Sequence, residues 1–238
     1  MKEEFSVINY NGKNIIITGA SGGMGRILCD RLAEMGAKLS ICSNDEAVLD
    51  FAKELSSKTK VFAKTFDIAD EAAVKEFFEE AYKENGEFYA LANLAGLSIP
   101  GQIPETEEGA YDLMMDVNVK GTFLCCKYFA HNAAEPSIIV NIGSMAARNA
   151  NGNAPLYCTA KAAVNMLSRG LLLQVGSKKI RVTTVNPGGA DTPFWGTRAV
   201  DRTKLLQAED VVDIIMFVLT SNPNVQIHDI YFESAVRF

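Results

Sequence analysis

The feature that most constrains this chain is a regular alternation of short apolar, β-branched runs with segments whose apolar residues recur at helical spacing. Asn14-Ile15-Ile16-Ile17-Thr18 has the length of a strand, and its unbroken apolar character marks one buried on both faces. Met24, Ile27, Leu28, Leu32 and Met35 then follow at helical spacing until Gly36 ends the helix. Further strands read at 38–42, 61–66, 89–93, 137–142, 180–186 and 227–232. Helices fall between them: one marked by Val74, Phe77, Phe78 and Ala81, one from about 111 to 131, one from about 156 to 175, and one marked by Val211, Ile214, Ile215 and Val218. Strands separated by helices pair in parallel through right-handed crossovers. The expected architecture is α/β, a doubly wound parallel sheet of Rossmann type with about seven strands. With no linker, repeat or low-complexity segment, residues 1–238 read as a single domain with residues 1–12 as an N-terminal tail.

Composition excludes several classes of function. A net charge of -6 without a basic run argues against nucleic-acid partners, which need clustered Lys and Arg. Cys29, Cys42, Cys125, Cys126 and Cys158 have neither C-x-x-C spacing nor a metal-ligand pattern, and adjacent cysteines are poor disulfide partners, so a reducing cytoplasm is the expected home. His131 and His228 are isolated and suggest no metal. The first residues hold acids and no apolar core of signal length, and no run reaches the roughly 18 apolar residues of a membrane span. A soluble, unprocessed protein acting on a small molecule is the expectation.

Two local patterns carry chemistry. Thr18-Gly19-Ala20-Ser21-Gly22-Gly23-Met24-Gly25 joins the first strand to the first helix. Glycines there let the backbone turn tightly and approach a pyrophosphate, with the helix N-terminus facing the phosphates. Tyr157 and Lys161 are four residues apart on a predicted helix, so they share a face. A free phenol titrates at about 10, and a cation within roughly 4–6 Å lowers it by about 1–3 units, which predicts a tyrosine tuned for proton transfer.

These residues, with Asp67-Ile68, Asn93-Leu94-Ala95-Gly96, Asn118, Ser144 and Pro187-Gly188, stand in the order and spacing of the short-chain dehydrogenase/reductase family, and the chain resembles its compact single-domain form from about Gly12 to Asp210. The resemblance implies that Tyr157 gives a proton to the substrate oxygen in reduction or removes it in oxidation, that Ser144 holds this oxygen, and that Lys161 lowers the phenol pKa and bonds the nicotinamide ribose. Asn118 would position a water joining Lys161 to solvent. The implied cofactor site takes Gly19, Ser21, Gly23, Met24 and Gly25 at the phosphates, Ser43 and Asn44 at the ribose, Asp67 and Ile68 by the adenine, and Asn93, Ala95 and Gly96 along the sheet edge. Tyr157, Lys161, Pro187, Gly188 and Thr192 complete it at the nicotinamide. Leu94 stands where the family often has Asn, and the C-terminal segment lacks the usual glycine-rich ending.

The cofactor is NADP or NAD. Ser43 replaces the acid that selects NAD and Asn44 the arginine that selects NADP, and the missing acid tilts the reading slightly toward NADP. Asp45 and Glu46 read as the first turn of a helix. On the substrate side, Leu97, Ser98, Ile99, Met145 and residues 192–196 suggest a hydrophobic secondary alcohol or ketone, although Phe194 and Trp195 serve equally as packing residues. The Tyr/Lys helix is apolar on more than one face, which fits burial within one chain or a subunit contact. With the resemblance it implies a homodimer or homotetramer. Two other functions compete with an oxidoreductase: a non-catalytic dinucleotide-binding regulator, and a sugar-nucleotide epimerase or dehydratase, whose longer chains speak against it.

Overall fold

The strands and helices meet the expected alternation. In a computed structural model describing residues 8–237, the strands are β1 (Asn14–Thr18), β2 (Lys38–Ser43), β3 (Val61–Thr65), β4 (Phe88–Asn93), β5 (Ala133–Ile142), β6 (Ile180–Pro187), β7 (Ala190–Asp191), β8 (Leu206–Gln207) and β9 (Asp229–Phe232). Seven of them form one parallel sheet in the order β3-β2-β1-β4-β5-β6-β9, and β7 pairs with β8 in a separate ribbon. This is the Rossmann-like arrangement expected. The helices are α1 (Gly23–Glu34), α2 (Ala47–Leu55), α3 (Glu71–Asn85), α4 (Glu108–Met115), α5 (Gly121–His131), α6 (Pro155–Val175) and α7 (Ala208–Thr220).

Strand alternation builds two apolar layers. Ile15, Ile17, Leu39 and Ile41 point to one face and pack with Leu28 and Leu32 of α1 and Val211 and Ile215 of α7. Ile16 and Leu91 point to the other, against Phe77 and Phe78 of α3 and Leu124 and Phe129 of α5. Each such side chain contributes about 1.5–3 kcal/mol of burial. Helix boundaries follow local chemistry. The Asp70 carboxylate accepts from the Ala72 and Ala73 amides at 2.9 and 3.4 Å to start α3, and Gln207 and Asp210 form a capping box on α7.

Two details differ from expectation. The helix expected over 111–131 is interrupted between α4 and α5 by a π-helical turn, Asp116–Lys120. Residues 1–7 of the expected tail lie outside the described residues, and Tyr10 within it is buried, its hydroxyl donating to the Leu219 carbonyl at 2.9 Å. Among the described residues, no helix is long and apolar enough to cross a membrane.

The chain moves outward from β1 to β2 and β3, then crosses back so that β4 lies on the other side of β1. That reversal opens a crevice at the carboxyl ends of β1 and β4, where Thr18 and Asn93 are paired in register.

Candidate active site

The crevice begins at Gly19, whose φ of +65° no ordinary side chain favours. A Cβ there would lie 2.9 Å from the Ala95 amide nitrogen, and one on Gly25 would lie 2.4 Å from the Gly19 carbonyl. Turn and helix therefore touch backbone to backbone. Thr18 Oγ1 accepts from the amides of Leu94 and Ala95 at 3.1 and 3.2 Å, tying this turn to the segment after β4. The first turn of α1 has no acidic residue and no side-chain cap, so its unpaired amides are available to an anion. Gly23 faces Pro193, and Met24 lines the adjoining cleft.

Along the other strand ends, Ser21 Oγ and Ser43 Oγ lie 2.7 Å apart, and Asn44 is exposed beside them. The Asp45 carboxylate accepts from the Ala47 amide at 2.9 Å, so it serves the start of α2, as its position suggested. Asp67 is exposed with its carboxylate on the Ala69 amide, while Ile68 is buried against Gly121. Asn93 turns inward, donating to Asn141 Oδ1 at 2.8 Å. Its side chain braces β4 on β5 beneath the crevice.

A cleft of about 1060 Å³ continues from this crevice, with Met24, Gly96, Ser144, Tyr157, Lys161, Pro187, Gly188 and Thr192 on its wall. The other predicted nucleotide-side residues lie outside that wall. Helix α6 carries Tyr157 and Lys161 in its first turns, with the Lys161 ammonium 5.7 Å from the Tyr157 ring centroid. Lys161 is buried and donates to the Ile142 carbonyl at 2.9 Å. Burial lowers its pKa to about 8.

Tyr157 departs from the expected lowering. Burial pushes its pKa up to about 12; a hydrogen bond with Ser144 pulls against this, Cys158 adds to it, and the Arg198 charge opposes it. The Lys161 ammonium, 5.7 Å from the ring centroid, donates instead to the Ile142 carbonyl, and burial of the phenol outweighs the groups that lower its pKa. Ser144 sits at the exit of β5 in extended conformation; its amide donates to Asn186 Oδ1 at 3.1 Å and its Oγ accepts from the Ala146 amide at 3.1 Å.

Asn118 lies in the π turn, fully buried, and donates to the carbonyls of Leu97 and Met114, both at 2.9 Å. Its Oδ1 has no hydrogen-bond partner among the described residues. A Cβ on Gly96 would lie 2.8 Å from this oxygen and 3.4 Å from Lys161 Nζ, so both groups converge on a space that a glycine keeps open. A buried acceptor facing a buried cation is suited to a bridging polar molecule. The crevice thus meets a dinucleotide's requirements: close backbone approach, free helix amides, and polar groups at the far end.

The sequence model of the family described as short chain dehydrogenase matches residues 13–203. The chain belongs to that family. This short-chain dehydrogenase, an oxidoreductase by class, is 30% identical over 230 residues to the L-xylulose reductase of Caenorhabditis elegans, covering 90% of this chain and 91% of that one. It is 29% identical over 234 residues to an uncharacterized oxidoreductase of Staphylococcus saprophyticus, covering 94% and 98%. Among solved structures it is similar to a blue fluorescent protein from a metagenomic library in complex with NADPH, at 25% identity and a TM-score of 0.88, covering 97% of this chain and all of the other.

The Phe194 end of this short-chain dehydrogenase's cleft joins the expected apolar residues to polar ones. Ser98, Met145, Thr192, Phe194 and Trp195 line the cleft, whereas Leu97, Ile99, Pro193 and Gly196 do not. The Phe194 ring lies 5.8 Å from that of Tyr157, and Trp195 meets Phe194 edge-on at 6.1 Å. Asn149, Asn151 and Asn153 after β5, and Arg198, Asp201 and Lys204 after Trp195, add a polar rim that sequence reasoning missed. These loop residues have no periodicity to mark them. Asn186 was also missed, because it closes a strand that already holds Arg181, Thr183 and Thr184 and so does not stand out.

Proposed function

We propose that this chain is an NADP-dependent oxidoreductase that interconverts a secondary alcohol and a ketone, with Tyr157 as the acid-base group. The observation that carries this reading is the placement of Tyr157, Ser144 and Lys161 on one cleft wall, with the unpartnered Asn118 oxygen behind them. When bound, a nicotinamide supplies or takes the hydride. Every proton step falls to the chain's own residues. A phenol titrating at about 12 keeps its proton at neutral pH, which sets Tyr157 as the acid for ketone reduction. The Ser144 hydroxyl steadies the oxygen as negative charge develops on it. The Lys161 ammonium, titrating at about 8, is the stronger acid of the two and can return a proton to the phenolate through the space it shares with Asn118.

The preference for NADP rests on the strand-two end. Ser21, Ser43 and Asn44 offer hydroxyl and amide groups, and the Asp45 carboxylate that follows them accepts from the Ala47 amide at the start of α2. A relative's structure in complex with NADPH supports the same choice. Phe194, Trp195 and Met145 support an apolar body on the substrate. Exposed Leu113, Phe123, Met166 and Leu173 on α4, α5 and α6 support self-association through those helices into a dimer or tetramer.

The test is titration of the protein with NADPH and NADH, followed by ketone-dependent NADPH oxidation. Tighter binding of NADPH together with turnover is the expected result. Binding without turnover across aryl and alkyl ketones would favour a regulator, and binding of neither nucleotide would overturn the reading.

A further inference from the structure

Two cations in the cleft, Arg198 and Lys204, have no part in this mechanism, and Lys204 lies beside Asp201. Arg198 is half-buried on the same wall as Tyr157 and Ser144. Its guanidinium lies 5.1 Å from the Phe194 ring centroid and 5.0 Å from that of Trp195. Nε donates to the Trp195 carbonyl at 2.9 Å, and a terminal nitrogen donates to the Phe194 carbonyl. These contacts fix the plane of the fork, and its remaining N–H groups have no partner among the described residues.

Among the described residues, no carboxylate lies within ion-pair distance of it. Arg26, Arg31, Arg169 and Arg202 each lie within ion-pair distance of an acid, and among the described residues Arg198, like Arg148 and Arg181, does not. The acids of the same cleft are otherwise engaged. Asp201 accepts from the Thr203 amide at 3.2 Å and the Thr203 hydroxyl at 2.6 Å and lies beside Lys204. Glu233 has a contact of its own. A planar cation held on an aromatic shelf, within electrostatic reach of the reacting phenol, is suited to bidentate pairing with a carboxylate.

We propose that Arg198 anchors a carboxylate on the substrate, so that the chain takes oxo acids and hydroxy acids with an apolar body in preference to neutral ketones. The proposal rests on the oxidoreductase reading and names the substrate class of that site. Apolar contact with Met145, Phe194 and Trp195 would hold the body, and Arg198 the acid.

The chain's single tryptophan, Trp195, lies under Arg198 and reports binding by fluorescence without need of turnover. The probes are phenylglyoxylate and 4-oxo-4-phenylbutanoate, each against its methyl ester, with NADP+ present. The expected result is at least one acid binding about ten-fold or more tightly than its ester, with the acid-to-ester ratio falling toward one in Arg198→Gln and partly kept in Arg198→Lys. With NADPH, the kcat/KM ratio of acid to ester should fall in parallel. Equal binding of acid and ester by the native protein, or an unchanged ratio in folded Arg198→Gln, would overturn the proposal. Ester reduction without acid preference would sink it and leave the oxidoreductase reading standing. Arg198-dependent acid binding without reduction of any probe would uphold the anchor and count against that reading.

Discussion

The backbone amide of Ser144 donates to Oδ1 of Asn186 at 3.1 Å, joining the exit of β5 to the penultimate residue of β6. Asn186 is fully buried and donates in turn to Thr184 Oγ1 at 3.1 Å. Its role is to hold Ser144 in place. Asn186→Ala should lower kcat by about ten-fold, leave the KM for NADPH nearly unchanged, and cost about 1–3 kcal/mol of stability by leaving a buried amide unpaired. Equal loss in kcat and nucleotide affinity would indicate a general collapse of the site instead.

Removing the phenol oxygen tests the acid directly. Tyr157→Phe keeps the ring beside Phe194 and deletes the hydrogen bond with Ser144. Turnover should fall by about 10²–10⁴ while NADPH affinity survives. Undiminished turnover would remove Tyr157 from the mechanism.

Lys161 gives a pH-dependent stability. Its folded pKa of about 8 lies below the ordinary lysine value of 10.5, so between these values the unfolded chain holds more protons than the folded one. Stability from this group therefore rises with pH across that window, and below it the cost of burying the charge is present in full. Relative to Lys161→Met, the native protein should gain roughly 2–3 kcal/mol between pH 7 and pH 10.5 in urea unfolding. A constant difference across that range would contradict the burial of a charged lysine.

Gly25→Ala would place a methyl 2.4 Å from the Gly19 carbonyl and 2.7 Å from the Ala20 Cα. Backbone on both sides cannot yield cheaply, so nucleotide binding should be lost and Tm lowered. Retained NADPH affinity would mean that the turn relaxes more than this packing allows.

At the strand-two end, Asn44→Arg should raise the preference for NADPH over NADH by about ten-fold through a new charge-assisted bond to the 2′-phosphate. An unchanged ratio of affinities would show that Asn44 does not face the ribose.

Much of this was legible in the sequence, for identifiable reasons. Apolar runs such as 14–18 fixed strand positions because a strand buried on both faces has no polar register. Helix stops were visible where Gly36 takes a φ of +75°. The convergence of Tyr157, Lys161, Ser144 and Asn118 came through family spacing; the structure supplies the Gly96 gap and the Asn118 oxygen that give the set a physical logic. Electrostatics were less readable. Spacing placed a lysine beside a phenol, yet the sign of the Tyr157 shift depends on burial, which only packing reveals. Arg198 was invisible for a related reason: its neighbours Phe194 and Trp195 are set by loop geometry after β7.

The π turn at Asp116–Lys120 holds one residue more than an α-helix of the same rise requires. Removing a single residue there would let α4 and α5 join as an ordinary helix with little disturbance to their outer ends. The buried side-chain oxygen of Asn118 would lose its aim while the fold kept its length of sheet and helix. Under the proposed mechanism, chain length at this one turn therefore separates a scaffold that folds from a scaffold that can refill its proton donor.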